Sequence, residues 1–345
     1  LAVLPPDMGE YIRISRLARD IYERFTDQVE PFGLDEAWLD ITGSVGLFGT
    51  PMEIAKQIRD LVEFELGITV SIGVSDNKVT AKLGSDYRKP DSITRIERDN
   101  YQEIVYPLPV EDLLYVGPAT SRKLRGIGID TIGRLAQCPV DVLSRRLGKM
   151  GIMLHMFANG RDISPVQKTE HIRTIKSVGN SATTPRDLTC NDDVQIMLLL
   201  LAESVAARMR ELASRCKVVE VYVRDNQLRS FTRQKKLQSP TCSSMEIANT
   251  AFSLFRANYR WENPIRSIGV RGAELVPMDG CTQMSLYPED QRREKWERID
   301  VAVDQLRQRY GYMSVRRALV MADPMLSKIN PKDDHIVHPV GFFGG

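Results

Sequence analysis

Two adjacent acids in apolar surroundings are the first feature of this chain that could do chemistry. In the segment GLDEAWLD, residues 33–40, Asp35 and Glu36 are flanked by Phe32, Leu34, Ala37, Trp38 and Leu39. A carboxylate withdrawn from water without a partner is costly, so an acidic pair read as part of such a strand asks for a cation. Oxygen ligands suit Mg2+, and two such ions could drive nucleotidyl transfer. Neighbours on a regular strand point to opposite faces, so both acids can meet one ion cluster only near a strand end or at a bulge. A salt-bridged structural pair is the alternative that the octapeptide leaves open. Asp40 is read as facing away toward a structural partner. The remaining metal-ligating residues do not compete. Cys138, Cys190, Cys216, Cys242 and Cys281 are odd in number and contain no CxxC pair, which fits neither a disulfide framework nor a zinc knuckle. His171 stands alone, and His335 and His338 lie close to the last residue.

The elements that must position the pair follow from hydrophobic spacing. Tyr11, Ile14, Ala18, Ile21 and Phe25 mark one face of a helix over residues 8–29, and a strand is predicted over 29–41. Pro51 opens a second helix with Ile54, Ile58, Leu61 and Val62 on its buried face. Residues 68–74 read as a strand, and Ser75 or Asp76 can cap a helix running to about residue 88. Strand, helix, strand, helix with short connections suggests an α/β layer on a sheet. From 107 to 162 the pattern changes to short helices punctuated by glycine. Beyond a polar link at 163–171, strands are predicted at 172–180, 217–224, 230–238 and 264–275. Helices are predicted at 192–213, capped by Asn191, and at 244–258, giving the order β-α-β-β-α-β. A last helix is placed near 296–310.

With these elements in place, DEAWLDITGS resembles the acidic palm signature of the Y-family, or UmuC/DinB-like, translesion DNA polymerases of bacteria. SIGVSDNKVTAKLGSDYRKPDSI, residues 71–93, is similar to the second palm motif of the same family. The resemblance implies an α+β multidomain fold: a partial palm at 1–106, a helix-hairpin-helix thumb at 107–162 and a linker at 163–171. A β-α-β-β-α-β little finger at 172–280 follows, then a clamp-binding peptide, helix and tail at 281–345. It implies that Asp35 and Glu36 are catalytic metal ligands for two Mg2+ ions and that Lys89 contacts the triphosphate of a deoxynucleoside triphosphate. The opening LAVLPP resembles the passage from the family's fingers into its long palm helix. The first catalytic aspartate and the fingers are therefore expected to be missing, and the chain as given to be inactive. The alternative is a non-catalytic module that binds DNA and a clamp.

The same resemblance assigns contacts with primer–template DNA. Gly117 matches the first glycine of the thumb hairpin, Ala119 replaces the second, and Lys123 adds charge on the following helix. The alanine is tolerable only if its φ is not positive. In the little finger, Lys176, Arg186, Arg266 and Arg271 are expected at the DNA backbone, although five residues of separation set Arg266 and Arg271 on opposite faces of a regular strand. QMSLYPED, residues 283–290, is similar to the bacterial sliding-clamp peptide, with Gln283 as the hydrogen-bonding group and Met284, Leu286 and Tyr287 as apolar anchors.

Composition agrees with this class. A net charge of +2 says little alone, but Lys and Arg outnumber acids between residues 166 and 325, with concentrations at 229–236 and 256–271. Such stripes are a footprint for phosphate backbone or simply a solvated face. The longest apolar run, 196–202, is too short to span a bilayer. No secretory signal is visible, and a cytoplasmic monomer is expected.

Overall fold

The computed structural model describes residues 6–169, 174–278 and 288–331. The chain divides in sequence between Ile172 and Arg173 into two units.

The first unit opens with α1 (Met8–Glu23), whose first turn is capped by the Asp7 carboxylate. β1 (Val29–Pro31) and β2 (Ala37–Leu39) form an antiparallel pair, followed by α2 (Val45–Phe48) and α3 (Pro51–Leu66). Thr50 and Glu53 cap α3 reciprocally, side chain to backbone in both directions. Ile21 and Phe25 meet Ile54, Ile58 and Val62 in one core. β3 (Ile72–Val74) and β4 (Ile93–Arg95) are parallel and joined by α4 (Lys78–Tyr87). β3 approaches α4 so closely that a Cβ at Gly73 would stand 1.8 Å from the Ala81 carbonyl oxygen.

Short helices follow: α5 (Tyr101–Val105), α6 (Pro118–Arg125), α7 (Ile132–Gln137), α8 (Val140–Leu147) and α9 (Lys149–Ala158). Val79 and Leu83 of α4 share one core with Leu113, Leu124, Ile132, Leu135, Leu143 and Leu154, so α4 is rooted in the helical module. The link is stitched down as well. The Gln167 N–H donates to the Glu30 carboxylate at 2.9 Å and the Thr169 N–H to the Asp27 carbonyl at 3.1 Å.

Three sequence expectations change here. The strand over 29–41 is two short strands about a bend. The strand over 68–74 narrows to Ile72–Val74. The cap of α4 is Asn77, not Ser75 or Asp76, because the Asn77 side chain accepts from the Thr80 N–H at 2.9 Å.

The second unit carries β5 (Ser177–Leu188), α10 (Asn191–Glu211), β6 (Ser214–Asp225), β7 (Ser230–Thr241), α11 (Ser244–Asn258) and β8 (Ile265–Pro277). This is the predicted β-α-β-β-α-β order, in an antiparallel sheet arranged β5-β8-β6-β7. β5 lies later than predicted, and α10 begins at Asn191 with Cys190 as its cap residue. Alternate strand residues, among them Val178, Ala182, Val219, Val221, Val223, Ile268 and Val270, are buried with α10 and α11. The opposite face aligns Gly179, Arg271, Glu220 and Gln234 across the four strands.

α12 (Pro288–Tyr310) and three short 3-10 turns complete the unit, with Val320 and Leu326 in the same core. Charged contacts fasten this segment. Glu203 on α10 is 4% exposed and binds Arg307 at 2.9 Å and Arg317 at 2.8 Å. Asp300 binds Arg317 at 2.6 Å and accepts the Ser244 N–H at 2.7 Å, while Arg210 binds Asp304 at 2.6 Å.

Candidate active site

The acidic pair sits on the β1–β2 hairpin. Pro31 pairs with Ala37, and the Phe32 N–H donates to the Glu36 carbonyl at 2.8 Å, so Gly33, Leu34 and Asp35 form the tip. Gly33 supplies φ +87° there, a conformation other residues resist. The Leu34 carbonyl accepts from the Ser15 hydroxyl of α1. Trp38 packs at a tilt against Phe32 with ring centres 4.7 Å apart, and its Nε1 donates to the Lys78 carbonyl at 3.0 Å. Lys78 also binds Glu30 at 2.6 Å. The tip is thus pinned between α1 and α4.

This corrects the premise of a pair withdrawn from water within an apolar strand. Asp35 is exposed and Glu36 half-buried. Asp35 has no hydrogen bond or ion pair among the described residues. Glu36 accepts from Lys82 Nζ at 2.7 Å, Lys82 lies 2.8 Å from Asp86 one helical turn on, and Asp86 lies 2.7 Å from Lys89. Burial works against the charge on Lys82, yet hydrogen bonds to Asp86 and Glu36 prevail and hold the ammonium above its ordinary range. For Asp86, burial is likewise outweighed by hydrogen bonds from Lys82 and Lys89, which hold the carboxyl below its usual range. Asp40 accepts from the Thr42 N–H at 2.9 Å, a local structural role.

The donors suit a hard divalent cation. One carboxylate is open, and the other already engages a cationic ammonium. Among the described residues no three His, Cys, Asp or Glu side chains converge.

Gly117 precedes α6 with φ −77°, and a Cβ there would meet nothing; α6 has no side-chain cap at this end. Ala119 lies within α6 and its φ is not positive, so the alanine is unstrained; the positive φ values of this segment belong to Tyr115 and Gly128. Lys123 is exposed on α6.

In the second unit Lys176 is exposed ahead of β5. Arg271 lies 2.9 Å from the Ser177 hydroxyl and 3.6 Å from Glu220. The register passes from Arg224 opposite Ser267 to Asp225 opposite Ile265, leaving Arg266 as an extra residue. That bulge removes the parity objection, since both arginines are exposed. Gln283, Met284, Leu286 and Tyr287 lie outside the described residues.

Arg186 is placed otherwise than expected. Its guanidinium binds Asp193 and Asp323, each at 2.6 Å, and clips β5 to the start of α10 and to a C-terminal turn. The hydrogen bond from Arg186 outweighs burial and lowers the Asp193 carboxyl to about 2. A depressed folded value stabilises above the unfolded value, near 4, and the contribution is lost as pH falls through 2. Asp193→Asn is therefore expected to cost about 2 kcal/mol at neutral pH and to flatten the acid limb of a urea-stability profile. An acid limb unchanged by the substitution would remove this assignment.

Comparison with known proteins decides what the hairpin and sheet belong to. The model of the impB/mucB/samB family matches residues 1–86, and that of the impB/mucB/samB family C-terminal domain matches residues 175–286. The chain is 46% identical over 329 residues to DNA polymerase IV of Acetivibrio thermocellus, covering 95% of this chain and 82% of that protein. The chain belongs to the Y family of DNA polymerases. DNA polymerase IV of Moorella thermoacetica is 36% identical over 316 residues, with 92% and 78% covered. DNA polymerase IV 2 of Bacillus subtilis is 35% identical over 324 residues, with 92% and 77% covered. The solved Y-family DNA polymerase chimera Dbh-Dpo4(243-245)-Dbh shares the fold, with a TM-score of 0.68 at 21% identity over 79% of this chain and 78% of that one.

As a Y-family member this chain is a DNA-directed DNA polymerase by family, with DNA and nucleotides as substrates and a divalent metal as the family's cofactor. The expected α+β multidomain fold is borne out. Among the described residues no helix is long and apolar enough to cross a membrane. Sequence reasoning missed Lys82 and Asp86. Their i, i+4 spacing on α4 was a visible signal for the ion pair, whereas the contact with Glu36 spans 46 residues of chain.

Proposed function

We propose that this chain serves template-directed nucleotidyl transfer past damaged DNA, with Asp35 and Glu36 as two of the ligands of a two-Mg2+ site. The observation that carries the reading is the open Asp35 carboxylate beside the ammonium-held Glu36 on a hairpin pinned from two sides. Asp35 and Glu36 would hold the metal at the β1–β2 hairpin, where it would supply Lewis-acid activation of a primer hydroxyl and offset negative charge on phosphate. Lys89 presents a compact cation to the triphosphate.

In this reading residues 1–106 are a partial palm, 107–162 thumb and 172–280 little finger. The uncapped start of α6 and Lys123 hold backbone phosphate, as do Lys176, Arg266 and Arg271, independently of base sequence. Arg186 is left out because two carboxylates already claim it. Residues 283–287 recruit a bacterial sliding clamp, and the chain acts as a monomer in the cytoplasm in DNA damage tolerance.

Fluorescence anisotropy with a primer–template across a salt series tests the DNA surface. Lys176→Ala with Arg271→Ala is expected to weaken binding and to reduce the log–log salt slope by about 2, one unit per lost phosphate contact. An unchanged slope would exclude these residues from the backbone interface.

A further inference from the structure

Glu36, Lys82, Asp86 and Lys89 form an alternating line of charges, linked by contacts of 2.7, 2.8 and 2.7 Å. Asp86 divides its two oxygens between the lysines: Oδ2 faces Lys82 and Oδ1 faces Lys89. Lys82 is the most enclosed of the four at 17% exposure, and Lys89 the most open at 55%. Lys82 therefore stays within the line while Lys89 is free to leave it. We propose that Asp86 is a positioning residue that couples Lys89 to Glu36 through Lys82, so that a phosphate drawing Lys89 away loosens the ammonium held on Glu36.

The physical basis is competition for charge. With both lysines in place, each neutralises part of Asp86. When a polyphosphate takes Lys89, the whole carboxylate acts on Lys82 and draws it from Glu36. Glu36 is then freer to accept a divalent cation. Asp86 touches neither phosphate nor metal in this scheme. The inference rests on the proposed roles of Glu36 and Lys89.

Mn2+ affinity of the 345-residue chain, read by electron paramagnetic resonance, provides the test. Lys89→Ala mimics removal of the ammonium and is expected to tighten Mn2+ binding about fivefold, a coupling of ordinary size between sites. In an Asp86→Asn background the same substitution is expected to change affinity less than about twofold, leaving only long-range charge. Asp86→Glu, which keeps a carboxylate, restores the larger effect. Equal effects of Lys89→Ala in both backgrounds would overturn the coupling while leaving the metal site intact. If Glu36→Gln leaves Mn2+ affinity unchanged, the metal site itself falls, and the coupling with it.

Discussion

Gly73→Ala is expected to destabilise the first unit by about 3 kcal/mol, the upper end of the usual overpacking cost, because the added methyl meets backbone that cannot rotate away. Its Cβ would lie 1.8 Å from the Ala81 carbonyl oxygen and 2.6 Å from the Ser85 nitrogen. Relief requires α4 to lift from β3, and α4 carries Lys78 and Lys82, which contact the hairpin. Gly117→Ala is the control: nothing lies within 4 Å of the added Cβ and φ is −77°, so its cost is expected below about 1 kcal/mol. Urea denaturation of both variants measures the contrast. Equal stability of Gly73→Ala and the unmodified chain would refute the close packing of β3 on α4.

Glu203→Ala should cost the second unit about 3–5 kcal/mol, the usual penalty for removing one member of a buried ionic cluster. The carboxylate is 4% exposed and serves two guanidiniums. Arg317 keeps Asp300, and Arg307 keeps the Val315 carbonyl and the Tyr312 ring, so each arginine is left half-satisfied. A double-mutant cycle gives the sharper reading. Combining Glu203→Ala with Arg307→Ala should cost less than the sum of the two single changes. Strict additivity would show that Glu203 and Arg307 do not interact in solution.

Local signals made much of the scaffold legible. Thr50, Pro51 and Glu53 spell a capped helix start, and α11 occupies the predicted residues 244–258. The order of the second unit followed from β-branched alternation between two helical patterns. What local pattern could not give was pairing over distance. Glu203 meets Arg317 across 114 residues, and Glu36 meets Lys82 across 46; neither partner carries a mark in its own neighbourhood. The hairpin was misread as one strand because Leu34, Ala37 and Leu39 are apolar, although Gly33, with φ +87°, was the available sign of a bend. Arg186 was read as a free cation because its claimants, Asp193 and Asp323, lie on elements that only the fold brings to it.

β7 closes one side of the sheet, so among the described residues one row of its main-chain N–H and C=O groups has no neighbouring strand. Such a margin is a template on which a second copy could zip. Arg233, Lys235 and Lys236 line it and are exposed. Like charges brought into register repel, and that repulsion is screened as salt rises. Concentrated protein should accordingly stay dispersed in dilute buffer and begin to associate, strand against strand, in strong brine.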